Sequence, residues 1–437
     1  MNVWMVNHYA ASPAQAWSTR HISLASELVR RGHNVRLFAS SFTHGTGAKR
    51  VVRGLIRWEQ HEGVEIGWIR TPAYSDNSFG RAWNMLVFAF RVLRLPARCQ
   101  GRPDGIYGST PSLFAALAGL ILARRFRVPF VLEVRDIWPQ TLIDLGMSRF
   151  HPFIVMSAVI ERYLYRHANA IVTLMPDATP HLVDRGAAPE RIHWIPNGVN
   201  FSLVPPIAPP KPRTCLEVIY AGAFSAGNNP QTILEAAAML RQRGGPVVHF
   251  RFIGSGTGKE ALISKLAALR LYNVSLEQQV PKNQIYSVLS DADIMLAPVK
   301  YLSVHRFGVS GNKVLDYMAV ARPIIHAVRS SNHAVLDAGC GLECPPDDPE
   351  ALADAITTLA RLAPEERWEM GLRGRHYVEA NHDFARLALK LESVLSGTLS
   401  QPVAHPAESG IVNALQSADA LQSPIDSKLR VSEESPE

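Results

Sequence analysis

The chain has 437 residues, 47% hydrophobic and 19% charged, which suits two or three folded domains and excludes fibrous or wholly disordered classes. Its four cysteines (Cys99, Cys215, Cys340, Cys344) complete no zinc or disulfide framework, and MNVWMVNHYA lacks the basic start and apolar core of a signal peptide, so a reduced, cytoplasmic setting is expected. The net charge of +7 divides into +10 over residues 1–200 and −3 over the rest, which points to an anionic partner on the N-terminal side.

Residues 3–9 predict a strand, 18–32 a helix and 34–40 the next strand. Ile22, Ala25, Leu28 and Val29 share one face of that helix, and Gly32 stops it. Further strands are expected at 65–72, 105–110, 129–136 and 170–175. The longest apolar run, 113–123, is shorter than the ~20 residues that span a bilayer and reads as a buried helix. Strands separated by helices imply right-handed crossovers and a mostly parallel sheet. Five prolines between 205 and 212 mark a semi-rigid linker. Beyond it, strands at 217–223, 249–254, 274–279, 294–299 and 323–328 alternate with helices at 230–242, 258–271, 282–290, 312–320 and 348–362. The expected organisation is α/β. A doubly wound domain at 1–200 and a linker at 201–215 precede a second domain at 216–380, a helix within 381–398 and a polar tail, 399–437, expected to be disordered.

Open parallel sheets bind ligands beyond the carboxyl ends of their strands, so two facing sheets would wall a cleft with strand-to-helix loops. His8, after the first strand, is a candidate catalytic contact at the cleft floor or a solvated loop histidine. Asp136 in Arg135-Asp136-Ile137-Trp138-Pro139 could accept hydrogen bonds from sugar hydroxyls, or pair with arginine as a structural ion pair. Gly254 and Gly256 open a helix and could let backbone N–H groups reach a phosphate; a plain turn is the alternative. Residues 305–319 carry the fullest signal. Arg306 and Lys313, with Ser310, Gly311 and Asn312 at a helix start, suit a diphosphate. Asp316 lies on the same helix face as Lys313 and could hold ribose hydroxyls, or the two could form a surface ion pair. Asp291-Ala292-Asp293 reads as a turn, and no metal is expected.

At these residues the chain resembles the retaining glycosyltransferases of the GT-B fold, family 4, and within them the branch of fucosamine transferases of O-antigen and capsule assembly. The resemblance spans residue 1 to about 395 and is carried by NHYA, LVRRGHNV, STPSLFAA, EVRDIWP, IPNGV, YAGAF, FIGSGTGK and, most specifically, FGVSGNKVLDYMAVARPII. It implies two Rossmann-like domains facing across a cleft, with a final helix at about 384–396 crossing back to the first. It implies transfer of a hexose-type sugar, with retention, from a nucleotide-sugar donor to a glycan or polyprenyl-diphosphate-linked acceptor in bacterial surface polysaccharide assembly. UDP is the carrier by resemblance, and no cofactor or metal is implied. Lys313 would contact the diphosphate, Ser310, Gly311 and Asn312 would donate beside it, Asp316 would take the ribose, and Asp136 would lie near the reacting sugar.

The chain departs from the family pattern where Gly308 replaces the first of an acidic pair. Ala223, Phe224, Asn228 and Asn229 stand where a basic pair is usual. Residues 14–18 replace a glycine pair, and Arg322 stands where a glycine precedes Pro323. A catalytically degenerate partner protein and a sugar-nucleotide 2-epimerase of the same fold remain alternative readings. Trp83, Leu86, Val87, Phe90 and Leu93 recur at helical spacing, with Arg91, Arg94 and Arg98 on another face. The apolar side packs in the core, or the helix lies on an anionic membrane surface at the inner face of the cell membrane. No nucleic acid is expected as a partner, because the basic residues lack interleaved aromatics.

Overall fold

A computed structural model describes residues 1–11, 14, 19–42, 49–74, 79–95 and 101–397. The tail expected at 399–437, the loop at 15–18 and Arg98 lie outside the described residues. The first sheet is formed by β1 (Asn2–Val6), β2 (Asn34–Ser40), β3 (Ile56–His61), β4 (Val64–Ile69), β5 (Gly105–Ser109), β6 (Phe130–Val134), β7 (Ala170–Thr173) and β8 (Ile192–Trp194). Its order is β3-β4-β2-β1-β5-β6-β7-β8, parallel except where β3 meets β4. The second is formed by β9 (Leu216–Ala221), β10 (Val248–Ile253), β11 (Val274–Glu277), β12 (Ile294–Leu296), β13 (Ile324–Ala327) and β14 (Gly341–Cys344). It is parallel throughout, in the order β11-β10-β9-β12-β13-β14.

Every residue of β5, β6 and β7 is buried, as expected of parallel strands covered on both faces. One face of the first sheet carries α1 (Arg20–Arg30). The other carries α2 (Phe79–Val92), α3 (Leu113–Phe126) and, beyond the short α4 (Gln140–Asp144), α5 (Pro152–His167), with α2 and α5 flanking α3. After α6 (Thr179–Asp184), the second domain adds α7 (Gln231–Gln242), α8 (Lys259–Ala268), α9 (Lys282–Leu289), α10 (Asn312–Ala319), α11 (Ala334–Asp337), α12 (Pro349–Arg361) and α13 (Pro364–Asn381).

The chain then crosses back as α14 (Phe384–Leu395), which buries Phe384, Leu387, Ala388 and Leu391 in the same cluster as Ile22, Leu24 and Leu28 of α1. The two doubly wound domains and the returning helix agree with the expected fold. The antiparallel β3 escaped the sequence reading. Its strand returns through Glu62 and Gly63, at φ +46° and +79°, a pair of positive angles that suits a tight hairpin. Arg322, at the family's glycine position, is structural: its guanidinium donates to the carbonyls of Ala208, Ser290 and Ala321 and so fastens the linker to the second domain.

Helix α12 starts at Asp348, whose carboxylate accepts from the N–H groups of Glu350 and Ala351 at 3.0 and 2.9 Å, with Pro349 in the first turn. Asp348→Ala is expected to lower the unfolding free energy by ~1 kcal/mol in urea denaturation, the usual loss on removing such a cap.

Candidate active site

Each sheet reverses its winding beside its first strand, between β1 and β5 and between β9 and β12. Loops beyond these strands face a shared cleft of about 1180 Å³. The first-domain wall stands on a buried carboxylate, Glu133 in β6. It accepts from Arg20 Nε and Tyr107 Oη at 2.6 Å and from Ser109 Oγ at 2.5 Å, and His21 Nε2 lies 2.6 Å away. Burial alone would raise this carboxyl, but His21 and Arg20 hold it well below the usual range. Arg20 also donates to the carbonyls of Ile195, at 2.9 Å, and Pro196, at the start of the interdomain connection. The next residue, Asn197, donates from its backbone N–H to Ser310 Oγ at 3.0 Å and from Nδ2 to the Ser310 carbonyl at 2.6 Å. The buried ion pair is thus fastened to the loop that leads into α10.

On the second-domain wall, Ser310, Gly311, Asn312, Lys313 and Asp316 all line the cleft. Lys313, in the first turn of α10, donates to Asn228 Oδ1 at 2.8 Å and lies 5.1 Å from the Tyr220 ring centre. No carboxylate pairs with it among the described residues. It is reachable from the cleft yet hemmed in by protein elsewhere, and this desolvation pushes its pKa down to about 7. Asp316 is not paired with Lys313. It accepts from Lys282 Nζ and from Tyr286 Oη, the latter at 2.9 Å. Lys282, at the start of α9, was not singled out from the sequence. Its signal is position alone, just past the carboxyl end of β11.

Gly254 and Gly256 also line the cleft, and their lack of a side chain is required by loop packing. A Cβ on Gly254 would come within 2.0 Å of the Gly222 carbonyl oxygen, and one on Gly256, at φ +151°, within 2.4 Å of that of Phe224. Where the family places a basic pair, Asn228 instead orients Lys313, and Lys282 supplies a second cation to this wall.

Asp136 opens into the cleft opposite these groups. The enclosing walls raise its carboxyl above the ordinary value, against the lowering influence of Arg135 and Arg81. The structure corrects two expectations. His8 does not face the cleft: it is 2% exposed, packs against Tyr9 and Phe88, and sets Nε2 2.5 Å from Asn84 Oδ1. It therefore braces the first loop from beneath. Arg306 does not line the cleft either. It belongs to a short 3₁₀ turn (Ser303–Phe307) whose Val304 and Phe307 are taken into the first domain's core, which leaves the arginine exposed on the outer side over the Phe307 ring. Asp144 of α4 accepts from Ser303 Oγ and the Val304 N–H, at 2.9 and 3.0 Å, and holds this turn across the domains. The Asp291-Ala292-Asp293 turn is structural, with Asp293 accepting from the Glu217 N–H at 2.8 Å.

Two family models match the chain in tandem, one described as a glycosyl transferase 4-like domain over residues 18–198 and one as glycosyl transferases group 1 over 216–361. The chain belongs to the family 4 glycosyltransferases of the GT-B fold. This glycosyltransferase is 23% identical over 260 residues to WcaI of Escherichia coli K12, named as a colanic acid biosynthesis glycosyl transferase. That alignment covers 56% of this chain and 63% of the relative, somewhat under two thirds of the relative's length. It is 24% identical over 307 residues to WbjE of Pseudomonas aeruginosa, named as a glycosyltransferase, covering 65% of this chain and 72% of WbjE. Sucrose-phosphate synthase of Thermosynechococcus elongatus shares the fold at a TM-score of 0.72 and 16% identity, covering 91% of this chain and 98% of that one. HepE of Anabaena, solved with UDP and glucose, does so at 0.63 and 15%, covering 91% and 100%.

Proposed function

We propose that this glycosyltransferase moves a hexose-type sugar from a UDP-linked donor to a glycan or polyprenyl-diphosphate-linked acceptor in bacterial surface polysaccharide assembly. The observation that carries this reading is Lys313, a desolvated cation without a carboxylate partner among the described residues, at the start of a helix that opens on the cleft. A diphosphate is the ligand such a group and helix terminus favour together. Asp316 and Lys282 lie three residues and one ion pair away, placed for the ribose and the phosphate edge. UDP is favoured by the structural likeness to a UDP-bound relative, and polysaccharide assembly by the names of the sequence relatives.

Asp136 faces this wall from the first domain and is the group proposed to accept hydrogen bonds from the reacting sugar's hydroxyls. Transfer is proposed to retain configuration and to need no divalent metal, the departing phosphate being stabilised by Lys313, Lys282 and the α10 N-terminus. Asp136→Asn is expected to reduce product formation roughly 100-fold, while UDP affinity by calorimetry stays at the wild-type value. Because the enclosing cleft walls raise the Asp136 carboxyl, wild-type transfer should fall on acidification above the ordinary aspartate range, as the carboxylate takes up its proton. A product of inverted anomeric configuration, read from NMR coupling constants, contradicts the retention assigned here.

A further inference from the structure

The helical layer on the outer face of the first sheet exposes apolar side chains that a soluble face would bury. In α2 the core side is Met85, Phe88 and Val92, whereas Phe79, Trp83, Leu86 and Phe90 form a second stripe that faces outward. Sequence periodicity had placed part of this stripe in the core or on a membrane. The structure adds that α5 repeats the pattern two helices away. Val155, Val159 and Tyr163 recur every fourth residue and are 51%, 64% and 38% exposed, with Phe150 at 79% just before the helix. Between them, α3 presents Ile121.

The exposed charges of α2, α3, α5 and the turn before α5 have one sign. Arg94, Arg124, Arg125, Arg149, Arg162 and Arg166 are exposed, and none has a carboxylate partner among the described residues. The only acidic residue in α2, α3 or α5 is Glu161, which is buried beside His181 and Arg185. Arg91 is partly withdrawn, its guanidinium donating to the Arg70 carbonyl, and Arg94 lies over the Phe90 ring at 4.2 Å. Of the two, Arg94 is the cation presented outward.

We propose that α2, α3, α5 and the turn before α5 form one docking surface for an anionic lipid bilayer. An apolar stripe flanked by arginines is the pattern that lies in the headgroup region, with the rings in the acyl boundary and the cations on lipid phosphates. A second copy fits less well, since a two-fold contact would set arginines against arginines with no exposed carboxylate between them.

The surface also has a direction. Helices in βα units start at the carboxyl ends of the strands, the end that holds the cleft. Phe79 and Phe150, the two most exposed aromatic residues described in the first domain, both lie at this end. Arg81 links it to the site: it donates to Tyr9 Oη at 3.1 Å and lies 5.4 Å from the ring centre of Trp138, two residues beyond Asp136. The deepest-inserting side chains would therefore flank the mouth of the cleft, and a lipid-linked acceptor could reach Asp136 with its lipid still in the bilayer. That role rests on the acceptor reading above; the lipid contact itself does not.

Flotation of the full chain with phosphatidylcholine vesicles, with and without phosphatidylglycerol, tests the surface. Two double variants of exposed residues, Phe150→Ser/Val159→Ser and Phe79→Ser/Phe90→Ser, are compared with wild type, and stabilisation by UDP is followed alongside. The expected result is binding to the anionic vesicles only, weakened by salt and lowered roughly tenfold or more in each double variant, with the UDP response unchanged. Wild type that stays unbound while still responding to UDP overturns the surface and leaves the transferase reading standing. Variants that bind like wild type, or a wild-type dimer in light scattering that the same substitutions dissociate, also overturn it.

Discussion

Lys313→Ala lowers the affinity for a nucleoside diphosphate by about 10- to 100-fold in calorimetry, the range for losing a charge-assisted hydrogen bond. Two features make the effect large. The cation is already desolvated, so an arriving phosphate gains its charge without stripping it of water, and no protein carboxylate among the described residues competes. The same desolvation gives the interaction a pH signature. In the free protein Lys313 titrates at about 7. A bound anion favours the charged amine and raises that pKa, so binding takes up a proton between the two values. Affinity should therefore fall as pH rises above about 7, by at most tenfold per unit for this one proton, and level off below it. Lys313→Arg, which stays charged throughout, should flatten the profile even if its longer fork weakens binding. A wild-type affinity that does not change between pH 7 and 9 contradicts the placement of the phosphate at this amine.

Glu133→Gln is the most damaging change expected for stability, about 3–5 kcal/mol in denaturant unfolding, because it leaves a buried guanidinium without its counter-charge. The carboxylate is fully buried and receives Arg20, His21, Tyr107 and Ser109 together. Its folded pKa is depressed, so its contribution is present above the unfolded value near 4.5 and is lost as pH falls through the lower folded value. The acid limb of the wild-type stability curve should therefore flatten in the variant. Arg20 carries the effect onward through Ile195 and Pro196 to Asn197 and Ser310. Glu133→Gln should consequently weaken nucleotide binding as well, although Glu133 touches no part of the donor wall. Unfolding within 1 kcal/mol of wild type would show that the arginine finds other compensation.

The architecture was legible because parallel βα units write themselves twice, as short apolar strands and as 3.6-residue periodicity between them. β6 and α10 illustrate both signals: Phe130–Val134 is buried throughout, while Asn312–Ala319 turns Val314, Leu315 and Met318 inward and Lys313 and Asp316 to the cleft. β3 was missed because half of it faces solvent, which breaks its apolar pattern. At the site, local order is enough to bring Lys313 and Asp316 on α10, and Asp136 in the loop after β6, to the cleft, but side-chain partners depend on distant segments. Lys282 reaches Asp316 from another helix, and no spacing rule joins residues 34 apart. Arg306 was misread for the opposite reason. A cation beside a glycine loop resembles a phosphate ligand, yet its neighbour Phe307 is committed to the other domain's core and turns it outward. His8 failed similarly, since a histidine after a strand can face the ligand or brace the loop, and its ring contacts here choose the second. The glycines at 254 and 256 line the cleft, and loop contact across to Gly222 and Phe224 already demands them.

If the cleft between the two domains holds a nucleoside diphosphate, thermal unfolding of the wild-type chain with UDP, GDP and ADP will register it. A ligand bound only by the folded state stabilises it by about 2.7 kcal/mol at a hundredfold excess over Kd. A saturable rise in Tm is expected with UDP, at least several-fold tighter than with the other two. An unchanged Tm with all three, in a chain that unfolds cooperatively, would contradict it and favour the catalytically degenerate reading.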